Sequence, residues 1–237
     1  MSSSAAPWSG ELSPVEPTYP AVRAWYQRRG RRTTFGPSHA YAVVKRALDV
    51  CVSVAAFPFV LPIIVVAGIA VRIDSPGAPL FSQFRTGKNG KRFKMYKLRT
   101  MSRNAESLKD AYRHLNELQW PDFKISRDPR ITRVGRFLRK TSIDELPQFY
   151  NVLTGDMSLI GPRPTSFSPD RYRLWHTARL HGKPGLTGLW QVSGRNELEF
   201  DERVRLDIAY LRNESWDVDL RILLRTFRAV FSGRGAN

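Results

Sequence analysis

Cysteine is almost absent from the sequence, with Cys51 as the only one among 237 residues. A disulfide within the chain is therefore excluded. Histidine is also scarce: the four histidines are scattered, and none forms an HExxH motif. No set of Cys and His has the spacing of a zinc or other soft-metal site, so such a site is not expected. If the protein binds a metal, oxygen ligands and magnesium fit this composition better.

Phosphate-binding glycine motifs are missing, and acidic residues are few. The sequence has neither a GxxxxGK[ST] loop nor a GxGxxG after a strand, so nucleotide binding of the P-loop or Rossmann type is not indicated. Asp and Glu number 21 against 38 Lys and Arg, which gives a formal net charge of +17. Such a balance favours polyanionic partners: nucleic acid, anionic lipid headgroups or phosphorylated substrates.

One long uncharged stretch, from Val50 to Val71, has basic residues on both of its flanks. A straight helix of this length would cross the ~30 Å hydrocarbon core of a bilayer. Pro58 and Pro62 fall near its middle, where a proline kinks or breaks a helix. Lys and Arg beside a membrane segment favour the cytoplasmic side, and here they favour it for both ends. We therefore predict a Pro-kinked re-entrant helix over residues 41–73, with a single ordinary span as the alternative.

The remaining sequence predicts an α+β, mostly helical protein. Residues 1–40 are rich in Ser, Pro, Gly and Arg without apolar periodicity, which predicts a disordered basic extension. Residues 74–237 are expected to form one cytoplasmic domain. Two short runs joined by an Asn-Gly turn at Asn89 predict a β-hairpin, whose many Lys and Arg suggest a face towards phosphates. Residues 101–119 and 131–154 have helical patterns.

The C-terminal run from Val218 to Phe231 is amphipathic. Its apolar positions at helical spacing are Leu220, Leu223, Leu224, Phe227 and Phe231, and arginines occupy another face. Two placements are open for such a helix: in the membrane interface, or packed on its own domain.

The densest polar cluster runs from Arg139 to Gln148. Ser142-x-x-Glu145 matches a capping box, and this structural interpretation is favoured by the pattern alone. Chemistry offers another use, because an acid at a helix start near Arg139 is expected to stay ionised. An ionised carboxylate can attack phosphorus or hold magnesium. Further along, prolines on both sides of Arg163 fix the backbone that presents its guanidinium, which suits phosphate binding but is a weak signal by itself.

Taken together and in order, these clusters resemble the bacterial sugar transferases, the monotopic phosphoglycosyl transferases of the hexose-1-phosphate type. The resemblance covers roughly Tyr41 to Phe231. It is carried by the apolar stretch after Lys45-Arg46, by DPRITRVGRFLRKTSIDELPQFYNVLTGDMSLIGPRP and by KPGLTGLWQVSGRN. It implies transfer of a sugar 1-phosphate from a nucleoside diphosphate sugar to polyprenyl phosphate. With UDP-hexose as the donor, UMP would be released.

The same resemblance implies the roles of individual residues. Asp144 and Glu145 match the family's catalytic dyad, with Asp144 as the nucleophile and magnesium as the cofactor. Both carboxylates are expected at the metal, and a second role is open for Glu145, which could instead assist deprotonation of the incoming polyprenyl phosphate. The phosphate-binding residues that we expect are Arg139, Arg163, Lys97 and Arg99. One departure concerns the membrane helix: the family's break is Ser-Pro in well-studied small members, whereas Phe57 precedes Pro58 here, so the kink geometry does not carry over directly.

The resemblance also sets the expected partners and location. We expect a UDP-sugar, undecaprenyl phosphate and an anionic lipid membrane as partners, no nucleic acid, and a homodimer as one assembly to test. The catalytic domain is expected on the cytoplasmic face of a bacterial inner membrane. Two alternatives come from other classes. A basic nucleic-acid-binding protein does not need the long apolar stretch, and a non-catalytic membrane scaffold does not need the Asp-Glu pair.

Overall fold

The computed structural model of the protein describes residues 38–117, 125–168, 171–194 and 198–231. In chain order, its elements are α1 (His39–Asp74), β1 (Leu80–Thr86), β2 (Arg92–Leu98), α2 (Arg133–Thr141), α3 (Gln148–Thr154), β3 (Ser158–Ile160), β4 (Gly185–Thr187), α4 (Phe200–Arg212) and α5 (Trp216–Phe231). Helix predominates among these residues, in agreement with the predicted mostly helical α+β class. The prediction of a disordered extension falls on residues 1–40, nearly all of which lie outside the described residues.

The long apolar stretch forms most of α1, a helix of 36 residues. Ser38 caps its start by accepting a hydrogen bond from the backbone N–H of Tyr41 at 3.3 Å. The helix has a mean hydropathy of 2.6 over its most apolar part, so its length and composition suit a membrane. It continues through Pro58 and Pro62, so neither proline ends it. A break of the helix at these positions is therefore not seen, and the kink stays a prediction.

The N-terminal part of α1 is anchored on the domain that follows it. Tyr41 Oη and Lys45 Nζ both donate to Oδ2 of Asp219 in α5, at 2.7 and 2.5 Å. About one turn beyond Lys45, Asp49 Oδ1 accepts from the backbone N–H of Leu159 in β3 at 3.0 Å. These polar contacts fix the first turns of α1 against α5 and β3.

The C-terminal part of α1 contacts the same domain at another place. Val71 packs in a buried cluster with Leu98 of β2 and Leu138 of α2. Asp74 Oδ2 accepts from the backbone N–H of Val134, which opens α2, at 2.9 Å. Both ends of α1 therefore lie against one domain. If that domain lies on one side of a bilayer, both ends of the helix lie on that side too.

Two small sheets follow α1. β1 and β2 pair in antiparallel register from Leu80 opposite Leu98 to Thr86 opposite Arg92. Their connection contains Asn89 with φ of 55°, a left-handed conformation that Asn tolerates better than most residues, and this confirms the predicted Asn-Gly hairpin. β3 and β4 form a parallel pair that the sequence did not reveal.

The prediction of a helix over residues 101–119 is wrong for the part that the structure describes. Met101 forms a β-bridge with Ile131, residues 103–112 form turns, and one 3-10 segment follows at Arg113–Leu115. Between 101 and 117 only Ala105 is buried. A short helix in water depends on packing an apolar face, and this segment has almost nothing to pack.

The C-terminal helix α5 uses two faces at once. Val218 and Ile222 are buried with residues of α4 in the largest core cluster of the described chain. On the other side, Leu220, Leu224 and Phe227 are each more than half exposed, at 57%, 56% and 55%. The helix is thus packed on its own domain and still presents an apolar stripe outward. The predicted position of the Phe231 side chain lies outside what the structure describes.

Candidate active site

The Asp-Glu pair lies on a short 3-10 segment, Ile143–Glu145, between α2 and α3. Ser142 ends α2 in a left-handed conformation with φ of 58°, and its side chain makes no capping hydrogen bond. Glu145 instead pairs with two side chains from other parts of the chain. The capping-box interpretation is therefore wrong: Ser142 stands between α2 and the 3-10 segment, but neither its side chain nor that of Glu145 caps the segment.

Glu145 is held between Lys97 of β2 and Arg163 of the Pro-Arg-Pro loop. Lys97 Nζ donates to Glu145 Oε1 at 2.8 Å. Arg163 donates from Nη1 to Oε2 at 3.2 Å and from Nη2 to Oε1, so its guanidinium binds the carboxylate in a bidentate way. Burial raises the pKa of Glu145, but Arg163 and Lys97 outweigh burial and hold this pKa below its ordinary value. Glu145 is therefore a fixed anion that joins three segments.

Asp144 has a different environment. Its side chain is buried, and it accepts no hydrogen bond from the described residues. Burial raises the pKa of its carboxyl group above the ordinary value, and the nearby charge of Glu145 adds to this rise. Lys97 and Arg139 act in the opposite direction and limit it. Asp144 is thus a carboxyl group whose oxygens accept no hydrogen bond within the part of the chain that the structure describes.

Arg139 lies in the last turn of α2, near enough for its charge to act on the pKa of Asp144. It is fixed by a hydrogen bond from its Nε to Thr100 Oγ1 at 2.9 Å. α2 can approach Thr100 this closely because Gly135 faces it: a Cβ there would come within 2.0 Å of the Thr100 carbonyl oxygen. Burial lowers the pKa of Arg139, which means that its charge is poorly solvated and would gain from a bound anion.

The Pro-Arg-Pro loop is fastened from behind by a buried ion pair that the sequence did not reveal. Arg179 Nη2 donates to the carbonyl oxygen of Arg163 at 2.7 Å and to Asp207 Oδ2 of α4 at 2.5 Å. Burial raises the pKa of Asp207 to about 7, although the charge of Arg179 opposes this rise. Arg179 therefore connects the core of the domain to the backbone of the residue that holds Glu145.

Arg85 of β1 is a second residue that sequence reasoning missed. In the hairpin register Arg85 lies opposite Phe93, and Lys97 lies opposite Phe81. Directly opposed residues in an antiparallel pair share a face, and alternate residues along each strand do too, so Arg85 and Lys97 are on one face. Burial and the neighbouring charge of Arg163 lower the pKa of Arg85 to about 10. Pairing the two strands by their Asn-Gly turn could have found this residue.

Arg99 is the predicted phosphate-binding residue that the structure does not bring to the carboxylates. Its guanidinium donates to the carbonyl oxygens of Ser75 and Pro76 at 2.7 and 2.6 Å. β2 ends at Leu98, so strand alternation no longer places Arg99 beside Lys97. In this structure Arg99 stabilises the turn that follows α1.

A family model described as bacterial sugar transferase matches residues 40–233. The chain belongs to this family. It is 44% identical over 201 residues to the galactosyl transferase CpsE of Streptococcus agalactiae, covering 84% of this chain and 44% of that protein. It is 42% identical to the UDP-glucose:undecaprenyl-phosphate glucose-1-phosphate transferase of Caulobacter vibrioides, covering 80% of this chain and 70% of that protein. It is 36% identical to the exopolysaccharide production protein ExoY of Rhizobium meliloti, covering 82% of this chain and 88% of that protein.

The chain therefore spans less than half the length of some curated relatives and most of the length of others. Membership of the sugar transferase family argues against the two alternatives considered from the sequence, a nucleic-acid-binding protein and a non-catalytic scaffold. Family membership also agrees with the composition of the candidate site, where two carboxylates lie close to several cationic side chains. Such a site suits phosphorylated substrates.

Asp144 and Glu145 of this sugar transferase differ in how well their oxygens could bind magnesium. Among the described residues, no three His, Cys, Asp or Glu side chains come together as a metal site. Magnesium in enzymes is usually held by one or two carboxylates together with waters and substrate phosphates, so such a cluster is not required. Asp144 has free oxygens for this, whereas both oxygens of Glu145 already face cations. The donor set fits magnesium at Asp144, and Glu145 as a metal ligand stays a prediction.

Proposed function

We propose that the protein transfers a hexose 1-phosphate from a UDP-hexose to polyprenyl phosphate and releases UMP, as the first membrane step of a polysaccharide or glycoconjugate pathway. The observation that supports this most strongly is the pairing of a free, buried Asp144 with a Glu145 that is clamped by Lys97 and Arg163. The Caulobacter vibrioides relative is named for the transfer of glucose 1-phosphate to undecaprenyl phosphate, which supports the same assignment.

The proposed chemistry has two displacements at one phosphorus. In the first, a carboxylate oxygen of Asp144 attacks the phosphorus that carries the sugar, the P–O bond to the second phosphate breaks, and UMP leaves with that bond's electron pair. In the second, a phosphate oxygen of polyprenyl phosphate attacks the same phosphorus and expels the Asp144 carboxylate. The products are UMP and a polyprenyl diphosphate sugar, and the enzyme is regenerated.

The cationic side chains have separate tasks in this proposal. Arg139 has two terminal guanidinium nitrogens without an acceptor among the described residues, so it can bind a substrate phosphate as a fork. Lys97 and Arg163 keep Glu145 ionised, and the field of Lys97 lowers the pKa of Asp144. Magnesium, when bound, supplies charge neutralisation of the diphosphate and of the leaving group.

We also propose that α1 is re-entrant and that the domain lies on the cytoplasmic face. Support comes from the basic flanks of the apolar stretch and from the contacts of both ends of α1 with one domain. The outward apolar stripe of α5, Leu220, Leu224 and Phe227, supports contact of that helix with the membrane interface. Such an arrangement would hold Asp144 near the depth at which a polyprenyl phosphate presents its head.

A panel of UDP-sugars tests the proposed function. Purified protein in lipid nanodiscs is given magnesium, undecaprenyl phosphate and one UDP-sugar at a time, and UMP and the lipid product are measured. We expect turnover with one or a few UDP-hexoses, and none in the Asp144→Asn variant. Absence of UMP release with every donor, together with salt-sensitive binding to duplex DNA, would contradict the proposal in favour of a nucleic-acid-binding protein.

A further inference from the structure

An apolar groove of about 650 Å³ lies between α1 and α2. Its walls include Pro62, Val66 and Ala70 from α1, Val134 and Phe137 from α2, and Ile143. Arg133 is the one charged residue that lines it. Val66 and Phe137 are 68% and 60% exposed, so the groove is open on its outer side. Its volume is in the range of ~300–1,000 Å³ that is usual for small-molecule sites.

The groove reaches the segment that carries the candidate catalytic carboxyl. Ile143 lines it, and Asp144 is the next residue on the same 3-10 segment. At its other side the groove follows α1 back to Pro62, in the middle of the long apolar stretch. The apolar groove therefore extends from the middle of the membrane helix to the residue that precedes Asp144.

We propose that this groove binds the isoprenoid units next to the phosphate of the lipid acceptor. The inference rests on the proposed function, which requires a polyprenyl phosphate to reach a phosphorus on Asp144. A groove with an apolar lining cannot satisfy the hydroxyl and amide groups of a sugar nucleotide, so the donor substrate does not fit it. Hydrocarbon fits it, and only a hydrocarbon that carries a reacting phosphate has to end at Asp144.

Two positively charged side chains of α2 match such an acceptor. Arg139 lies near Asp144 and has terminal nitrogens that no described protein group occupies, while Arg133 lines the groove itself. A phosphate at Arg139 would leave its first isoprenoid units along Ile143 and Val134. Because the groove volume holds only part of a long polyprenyl chain, the rest of the chain would lie in the bilayer.

A pair of tryptophan variants on neighbouring positions of α1 tests the groove. Val66→Trp fills it, whereas Val65→Trp adds the same side chain at an exposed position that does not line it. Two quantities are measured in nanodiscs: UMP release from the UDP-sugar without acceptor, and the KM for undecaprenyl phosphate in the full reaction. We expect Val66→Trp to raise this KM by about tenfold or more while it still releases UMP, because a misfit of a single methylene in an apolar pocket already changes specificity by ~10–200-fold. Val65→Trp should behave as the wild type.

A photo-crosslink distinguishes the acceptor from ordinary membrane lipid. p-Benzoylphenylalanine placed at Phe137 should capture undecaprenyl phosphate, and excess unlabelled undecaprenyl phosphate should suppress the capture while excess phosphatidylglycerol should not. Equal suppression by both lipids, or equal KM values in the two tryptophan variants, would overturn the groove assignment alone. Failure of the wild-type protein to release UMP from any UDP-sugar would instead overturn the proposed function.

Discussion

Asp144 and Glu145 are consecutive residues, and burial acts on both carboxyl groups, yet their pKa values shift in opposite directions. The pKa of Glu145 is lowered because Arg163 and Lys97 bind it directly and outweigh burial. The pKa of Asp144 is raised because burial and the charge of Glu145 outweigh the nearby cations, and no described residue donates a hydrogen bond to its carboxyl group. Carboxylates whose environments separate their pKa values in this way have different roles in enzymes. Here the free carboxyl is the nucleophile of the proposed reaction, and the clamped one holds the site together.

The clamp on Glu145 predicts a loss of both stability and rate in Glu145→Gln. The amide keeps the shape but loses the charge, so Lys97 and Arg163 face a weaker partner. About a fifth of the Glu145 side chain is exposed, so we expect the free energy of unfolding to fall by roughly 1–3 kcal/mol rather than by the full cost of a broken buried pair. Turnover should slow, while the covalent sugar phosphate on Asp144 can still form.

Thermal unfolding and kcat are measured for this variant. The matched control is Glu106→Gln, at an exposed position. Equal stability and equal kcat in the two variants would show that the pairing of Glu145 with Lys97 and Arg163 has no role.

The geometry of Arg139 predicts that its charge alone is not sufficient. Arg139→Lys keeps a positive charge but removes the fork of donors and the Nε that binds Thr100. We expect kcat/KM for the UDP-sugar to fall by about 10–100-fold, the equivalent of ~1.5–3 kcal/mol for a charged hydrogen bond. Arg136→Lys on the same helix is exposed and should have little effect. A similar, small effect of both substitutions on kcat/KM would show that Arg139 does not bind the substrate phosphate.

The raised pKa of Asp144 predicts the acidic limb of the pH profile. A nucleophilic carboxylate must be ionised, so activity falls as the pH drops through its pKa. Because burial raises this pKa, kcat/KM should begin to fall at a higher pH than the ~3.9 of an ordinary Asp would give. Lys97 lowers the pKa of Asp144, so Lys97→Met should move the limb to still higher pH. A limb at the ordinary Asp value, or a shift to lower pH in Lys97→Met, would contradict this electrostatic assignment.

The contacts at both ends of α1 predict its topology. Ser38 and Ser82 are exposed and flank the helix, so Ser38→Cys and Ser82→Cys can each report on one side of the membrane in a Cys51→Ser background. We expect neither position to react with a membrane-impermeant thiol reagent in intact cells, and both to react after lysis. Reaction at one position only, in intact cells, would establish a true span.

Local patterns were sufficient for the features that depend on neighbouring residues. The Asn-Gly turn specified the hairpin, because few residues tolerate the left-handed conformation that Asn89 adopts. The same local reasoning failed at Ser142, since a capping box and a helix terminus look alike in sequence. What decides between them is the pairing of Glu145 with Lys97 and Arg163, which lie 48 and 18 residues away.

Long-range contacts explain the other misses at the site. No sequence motif marks Arg179. Its role follows from its contacts, because it joins Asp207 of α4 to the backbone of Arg163. Arg99 was expected to bind phosphate as Lys97 was, but β2 ends at Leu98 between the two residues and Arg99 donates to a carbonyl oxygen at the end of α1. The pair of Asp144 and Glu145 itself was found through the family resemblance, since composition and spacing alone favoured capping.

Mass spectrometry of the intact protein tests the central claim most directly. Wild-type protein is incubated with its UDP-hexose and magnesium in the absence of any lipid acceptor. We predict that it releases UMP and gains the mass of one hexose phosphate, that the adduct maps to Asp144, and that Asp144→Asn shows neither, because a neutral amide is a far poorer nucleophile. UMP release that depends strictly on the lipid acceptor, with no adduct trapped on the wild-type protein, would contradict the claim and indicate direct attack by the polyprenyl phosphate.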